Sequence, residues 1–233
     1  MTIGTPRARQ LLGEEAAVYV RDQIISGAFP PGTRVRPEAV ASELGISPTP
    51  AREALKALEV EGFLHLEPRR GFTVATVTGD DIRDIFLVQS TTAGELAARA
   101  TARVTAAQCA RLEDIHASLV AAAERQDLDA VEELNHRFHR EINLAAGAPK
   151  LGWVIQILSR YTPRRFYTTK GCTCSADWPV TTVKDHTEIL AMIRARDIGG
   201  AKTATLEHVQ RAGEQLARHV DARLNDVDCS VAR

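Results

Sequence analysis

The chain has 233 residues, of which 44% are hydrophobic and 25% charged, and its formal net charge is −1. This composition is typical of a globular protein and excludes a disordered, collagen-like or repetitive chain. No segment approaches the ~20 consecutive apolar residues of a membrane-spanning helix, so we expect no membrane partner. The first residues lack the apolar core of a secretory signal, and four cysteines do not suggest a disulfide framework. We therefore expect a cytoplasmic protein.

The first part of the chain predicts three short helices. After a frayed arm over 1–12, apolar residues at helical spacing indicate a helix from Gly13 to Ser26. A Pro-Pro-Gly turn ends it, and Pro37–Leu44 form the second predicted helix. Ser47 fits the N-cap of a third helix, which we expect over Pro48–Glu61.

The apolar pattern then changes from helical spacing to alternation. Residues 63–67 and 71–77 predict two short strands, joined by a turn at Pro68-Arg69-Arg70-Gly71. Three helices followed by a two-stranded hairpin are the outline of a winged helix-turn-helix. We therefore expect an α+β domain over 1–78.

From Thr78 onward only helical patterns are present. They predict an all-α antiparallel bundle as a second domain over 79–233, so that the fold class is mainly α. The predicted helices are 79–103, 106–126, 128–146, 148–169, 178–196 and 197–225.

The third helix is the candidate for reading DNA. A helix that enters the major groove needs polar or basic residues near its N-terminus, and Arg52 is the best candidate for a base contact because a guanidinium pairs bidentately with guanine. The hairpin turn is placed to contact phosphates or the minor groove. Any single arginine here is also compatible with an ordinary solvated surface. The other candidate contacts are Arg34, Arg36, Ser47, Thr49, Lys56, Arg69, Arg70 and Gly71.

Residues 13–77 resemble the winged-helix signature of GntR-family transcription regulators. The resemblance is carried by Ile25–Val35, by Leu44–Leu55, and by Leu58 with Glu61-Gly62-Phe63. It implies a DNA-binding regulator. Pro48 occupies the position where the family commonly has an arginine, which implies one contact fewer with DNA.

Three histidines and one asparagine fall on inward-facing stripes of the predicted bundle. Asn135 and His139 are one helical turn apart on an apolar stripe, His186 lies on a second stripe, and His208 lies on a stripe of small residues. Each histidine taken alone is more often a core residue with satisfied hydrogen bonds. Together they predict a divalent metal site, because imidazole suits zinc, nickel and other transition metals.

Residues 80–225 resemble the FCD ligand-sensing domain of the FadR-type subgroup. The resemblance rests on the run Leu134–His139, on Asp185-His186 and on His208. It implies that Asn135, His139, His186 and His208 hold a metal, with zinc expected first, and that the metal binds a small carboxylic acid effector.

One feature of the expected effector site departs from that family. Thr91 stands where members often carry an arginine, four residues before Glu95. Either another arginine takes over the effector carboxylate or the effector is less acidic. The candidates for that role are Arg83, Arg160 and Arg164.

Three functions are compatible with these features. The first is a homodimeric regulator, more often a repressor than an activator, that binds a palindromic operator and responds to a small organic acid. The second is a regulator for which the metal ion itself is the signal. The third is a metal-dependent enzyme with a DNA-binding adaptor, although no H-E-x-x-H motif is present.

Overall fold

The computed structural model describes residues 6–162 and 177–231, with side chains over 10–162 and 177–224. Helices dominate these residues, and a small sheet lies near the start of the chain. The elements are α1 Pro6–Ser26, β1 Arg34–Val35, α2 Pro37–Leu44, α3 Pro48–Val60, β2 Leu64–Glu67, β3 Gly71–Val74, α4 Gly79–Arg103, α5 Ala106–Glu124, α6 Leu128–Ala145, α7 Pro149–Leu158, a 3-10 turn Ser159–Tyr161, α8 Trp178–Arg194 and α9 Ile198–Val231.

The chain divides into two compact units. One extends to Thr78 and also takes in the residues from Arg223 onward, and the other is Gly79–Ala222. We call them the reading head and the sensing bundle. Arg223 packs with the head, where its guanidinium donates a 2.7 Å hydrogen bond to the carbonyl oxygen of Ile25. This grouping differs from the predicted domain over 79–233 at the end of the chain.

The reading head is a winged helix-turn-helix, and the predicted fold class is confirmed. Its antiparallel sheet has the strand order β1-β3-β2, with Val35 opposite Phe72 and Leu64 opposite Val74. The strand β1 was not expected, because two residues are too few for a recognisable alternation. The first helix begins at Pro6, so the predicted frayed arm over 1–12 is wrong for the part from Pro6.

The core of the head is organised around α3. Its Ala51, Leu55 and Leu58 are fully buried, because their spacing places them on one face of the helix. Beside this core a buried ion pair joins Arg21 to Glu61 at 2.6 Å. Such a pair stabilises the fold only while both partners are present, since either one alone would be a buried unpaired charge.

One helix begins where it was predicted, and another ends earlier than predicted. Ser47 is the N-cap residue of α3, but its side chain makes no capping hydrogen bond, and Pro48 at the first helical position removes one of the backbone donors. The helix predicted over 148–169 ends at Leu158, where the chain tightens into the 3-10 turn, and Thr162 is extended. The remainder of that prediction lies outside the described residues.

The sensing bundle has one apolar core. Leu96, Leu112, Phe138, Ile142 and Ile189 are buried in it, on four different helices. Local signals fix where the helices begin: Thr105 and Gln108 form a capping box at α5, and the Asp127 side chain accepts a hydrogen bond from the third residue of α6. None of the described helices is long and apolar enough to cross a membrane.

Candidate nucleic-acid interface and metal centre

The start of α3 presents polar side chains to solvent. Ser47, Thr49, Arg52 and Lys56 are all exposed. The guanidinium of Arg52 contacts the carboxylate of Glu38 at 3.4 Å, with both side chains more than half exposed. Ion pairs this exposed contribute little to stability, so Arg52 can exchange its carboxylate partner for another acceptor at low cost.

The tip of the wing is a tight turn held in a strained conformation. The Arg70 N–H donates to the Glu67 carbonyl at 3.2 Å, Pro68 follows Glu67, and Arg69 has φ of 69°. This is the pattern of a type II turn, whose third position favours glycine because a positive φ crowds a side chain. Both arginines are exposed.

The remaining predicted contacts also lie in the reading head. Arg34 is in β1 and Arg36 is the N-cap of α2, and both side chains are exposed. Gly71 opens β3 with φ of 81°, a conformation that glycine adopts without strain. The structure thus places all nine predicted DNA contacts in one compact unit.

The three predicted histidines of the sensing bundle meet at one centre. His139 on α6, His186 on α8 and His208 on α9 each offer a ring nitrogen, and these three atoms lie within 4.8 Å of one another. The Nε2 atoms of His139 and His208 are 3.1 Å apart. We call these residues the histidine centre.

His186 is the most constrained member of the histidine centre. Its ring is fully buried and stacks on the ring of Phe138, with centroids 4.2 Å apart. Neither of its ring nitrogens has a hydrogen-bond partner among the described residues. A buried imidazole without partners costs free energy, and a metal ion bound by the lone pair of one nitrogen would remove part of that cost.

A carboxylate and an arginine support His208 from behind. His208 Nδ1 and Asp185 Oδ2 are 2.9 Å apart, and Arg211 contacts the same carboxylate oxygen at 2.9 Å. Burial alone would raise the pKa of the Asp185 carboxyl, but the hydrogen bonds with His208 and Arg211 outweigh it and lower that pKa. The charged Asp185 carboxylate can accept a hydrogen bond from Nδ1 of His208, and the other ring nitrogen, Nε2, then faces His139. This is the arrangement by which a carboxylate orients a metal-binding histidine.

Burial disfavours the charged forms of two members of the histidine centre, His139 and His186. Desolvation lowers the pKa of His139 well below its usual value, and the neighbouring His208 and His136 lower it further. The pKa of His186 is lowered in the same way, by burial first and then by His139, His208 and His116. Neutral imidazole is the form that binds a metal ion.

A cavity of about 750 Å³ opens beside the histidine centre. His139, His208 and Asn135 line it, with walls from α4, α6, α7, α8 and α9. Asn135 thus lies at the cavity one turn before His139, as predicted from their spacing. The cavity also has two arginines that sequence reasoning missed, Arg140 and Arg211. Arg140 directly follows His139, a signal that could have identified it, whereas the contact of Arg211 with Asp185 joins two helices that no local pattern connects.

The structure does not bring two of the predicted effector arginines, Arg83 and Arg160, to this cavity. Arg83 is engaged instead by Asp80, Glu214 and Asp221 at 3.0–3.2 Å. Arg160 is in the 3-10 turn and is not among the residues that line the described cavity. Arg164 lies outside the described residues.

Two family models match the chain, the FCD domain over residues 84–211 and the bacterial regulatory proteins of the gntR family over 12–74. The HTH-type transcriptional repressor RspR of Escherichia coli is 26% identical over 219 residues, which cover 93% of this chain and 94% of RspR. An uncharacterized HTH-type transcriptional regulator of Agrobacterium vitis, from the TAR-I ttuE-ttuC' intergenic region, is 33% identical over 135 residues, or 56% of this chain and 79% of that protein.

Among solved structures, E. coli McbR/YncC matches with a TM-score of 0.70 and 25% identity, over 89% of this chain and 98% of that one. These relatives are transcription regulators, so the alternative of a metal-dependent enzyme is wrong. The two matched regions contain the exposed arginines of the reading head and the histidine centre of the bundle. The chain belongs to the GntR family of DNA-binding transcription regulators, with an FCD domain after its winged helix.

Proposed function

We propose that the protein is a repressor that binds a palindromic operator as a homodimer and responds to a small organic acid at a metal site in its sensing bundle. The observation that carries this proposal is the fully buried His186, whose two ring nitrogens lack partners among the described residues, grouped with His139 and His208, which line a cavity large enough for an organic molecule. The same chain carries the DNA-reading head.

The histidine centre fits a transition metal. Three imidazoles supply the ligands, and the amide oxygen of Asn135, one turn before His139 on the cavity wall, is proposed as the fourth. This donor set favours zinc first, with nickel or another transition metal as the alternative. A metal bound there would offer open coordination positions to a carboxylate.

The cavity also offers a cation for an acidic effector. Arg211 lines it but is already paired with Asp185. Arg140 lines it and has no carboxylate partner among the described side chains. We therefore assign the effector carboxylate to Arg140, because a charge-assisted pair forms most readily with a cation that is not already neutralised. Arg164 stays a prediction.

The proposed operator contacts all belong to the reading head. Arg52 is proposed to read a base, and Arg69 and Arg70 to contact the neighbouring phosphates, with Arg34, Arg36, Ser47, Thr49, Lys56 and Gly71 completing the interface. A two-fold dimer requires a two-fold operator, which is the reason for proposing a palindrome. Effector binding changes operator affinity only if the effector has different affinities for the two states of the protein.

The test uses the full chain, purified without a histidine tag, and an operator selected from random duplexes. Elemental analysis is expected to find about one divalent ion per chain. His186→Ala should lose that ion and the response to effector while keeping operator affinity. His136→Ala is the matched control, because it removes an exposed histidine that lines the same cavity. Absence of metal after titration with zinc and nickel would contradict the metal site.

A metal-ion sensor is the second candidate, since three histidines alone can hold an ion. The cavity volume favours the organic effector, because an ion would leave most of about 750 Å³ unused. Operator release by the metal alone, with no further effect of any carboxylic acid, would support the sensor instead.

A further inference from the structure

Three residues join the DNA-reading helix α3 to the wing, which is the hairpin of β2, β3 and the turn between them. Glu61 is the C-cap of α3, Gly62 has φ of 83°, and Phe63 immediately precedes β2. The Phe63 N–H donates to the Leu58 carbonyl at 2.9 Å, which closes this joint as a Schellman motif. Because a strand extends about 3.3 Å per residue, a tilt of roughly 10° at the joint moves the wing tip by about 2 Å. The angle at this joint therefore determines how far the wing tip lies from the start of α3.

One buried side chain of α1 contacts both sides of this joint. The Arg21 guanidinium donates a 2.6 Å hydrogen bond to the Glu61 carboxylate, and its central carbon lies 5.5 Å from the centre of the Phe63 ring. Arg21 is only 6% exposed and Phe63 is fully buried, so water competes little for either contact. A single planar group thus ties the end of α3 and the start of the wing to α1.

Packing alone does not explain an ion pair at this position. Taking two charges out of water is costly, and replacing a buried ion pair by apolar side chains of similar volume is often neutral or stabilising. The Nε atom of Arg21 is also buried, without a hydrogen-bond partner among the described residues, which adds to the cost. An apolar pair lacks direction, whereas a charge-assisted hydrogen bond is short and depends strongly on angle. Arg21 therefore contributes to the geometry of the joint more than to its stability.

We propose that Arg21 is a positioning residue for DNA binding, which fixes the angle between α3 and the wing so that both engage the operator at the same time. Arg21 is buried on α1, so it acts through the joint and not by touching DNA. The inference rests on the proposed operator contacts of Arg52, Arg69 and Arg70. When the joint is loosened, α3 still binds its bases, but the wing loses its fixed distance to the neighbouring phosphates.

The test removes both charges at once, so that no unpaired charge stays buried. Arg21→Met/Glu61→Leu in the full-length chain should keep the thermal midpoint of the wild type or raise it. Its slope of log operator affinity against log salt should become shallower by up to about 1.8, because each of two phosphate contacts contributes about 0.9. Arg111→Met/Glu141→Leu is the matched control, since it removes a 2.7 Å ion pair from the sensing bundle and should keep the wild-type slope.

A double-mutant cycle with Arg70→Ala adds a readout that a purely structural role would not change. Arg70→Ala should weaken operator binding in the wild type but have little further effect in Arg21→Met/Glu61→Leu, whose wing is already displaced. A folded Arg21→Met/Glu61→Leu variant with the wild-type salt slope would overturn the proposal. If that variant does not fold, Arg21→Lys is measured instead, because lysine keeps the charge but lacks the planar fork. A wild-type salt slope in Arg21→Lys would also overturn the proposal.

The same cycle distinguishes this inference from the function on which it rests. If Arg70→Ala changes neither operator affinity nor salt slope in the wild type, the proposed wing contact is wrong and the positioning role is overturned with it. If Arg70→Ala has equal effects in the wild type and in the Arg21→Met/Glu61→Leu background, the wing contact stands and only the positioning role of Arg21 is overturned.

Discussion

The reading head and the histidine centre carry function in opposite physical settings. Arg52 is 57% exposed and lies within a few residues of the other α3 contacts, whereas His186 is fully buried and His139 and His208 are 69 residues apart in sequence. A functional side chain on the surface can change with little effect on the fold. A functional side chain in the core is part of the packing, so its chemistry and the stability of the bundle change together.

The largest expected effect is a loss of stability in acid that originates in the histidine centre. The folded bundle depresses the pKa of His139 and His186 below the usual value of 6.5, mainly by burial. At a pH between the depressed pKa and the usual pKa, the unfolded chain therefore binds more protons than the folded one. Stability therefore rises with pH in that window and is lost as pH falls below about 6.5. The lowered pKa of Asp185 acts only below 3.8 and does not contribute there.

This expectation is checked by thermal unfolding of chelator-treated protein between pH 7.5 and pH 5.5. His139→Gln should flatten the dependence of the midpoint on pH, whereas His65→Gln, at an exposed position outside the bundle, should leave it unchanged. Equal slopes in the wild type and both variants would show that the buried histidines do not control acid stability.

The next largest effect concerns DNA binding and tests an exposed side chain whose loss should leave the fold intact. Arg52→Ala should weaken binding to the selected operator by about 1–3 kcal/mol, because one base contact is lost. Its free energy of unfolding should change by less than about 0.5 kcal/mol, since the Glu38 pair is exposed. Competition assays on operator and random duplexes provide the measurement. An equal loss on both duplexes would assign Arg52 to phosphate and not to a base.

The smallest effect concerns the strained turn of the wing. Arg69→Gly should stabilise the reading head by about 0.5–1 kcal/mol, because glycine accepts the positive φ without steric cost. If Arg69 contacts a phosphate, the same change should reduce the slope of log affinity against log salt by about 0.9. Arg70→Ala is the control, since it removes a charge at the same tip without relieving strain. A stabilised variant with an unchanged salt slope would show that Arg69 is strained but does not contact a phosphate.

The fold of the reading head was largely predictable because its signals are local. Pro37 and Pro48 stand at helix starts, and the turn at 68–71 separates two alternating segments. The short β1 escaped prediction because it exists only through pairing with β3. The start of α1 was misplaced because Arg7, Arg9 and Gln10 interrupt any apolar stripe over 6–12, although a helix forms there.

The histidine centre was predictable only in part. Apolar periodicity identified the inward histidines, because a polar residue on an apolar stripe is visible in sequence. It could not show that Asp185 joins His208 to Arg211, since these contacts cross from α8 to α9. It also could not show that Arg83 forms ion pairs with two carboxylates of α9. These ion pairs argue against a role for Arg83 in the cavity.

The stacking of Phe138 on His186 limits how the sensing bundle can evolve. Phe138 belongs to the apolar core and also forms the wall behind a member of the histidine centre. A substitution that reshapes this wall must at the same time keep the core filled, so few changes are tolerated there. On the α4 wall of the cavity, Gln89 lines the cavity and does not belong to that apolar core. New effector preferences in descendants of this chain should therefore arise by changes on that wall, while the residues around His186 stay as they are.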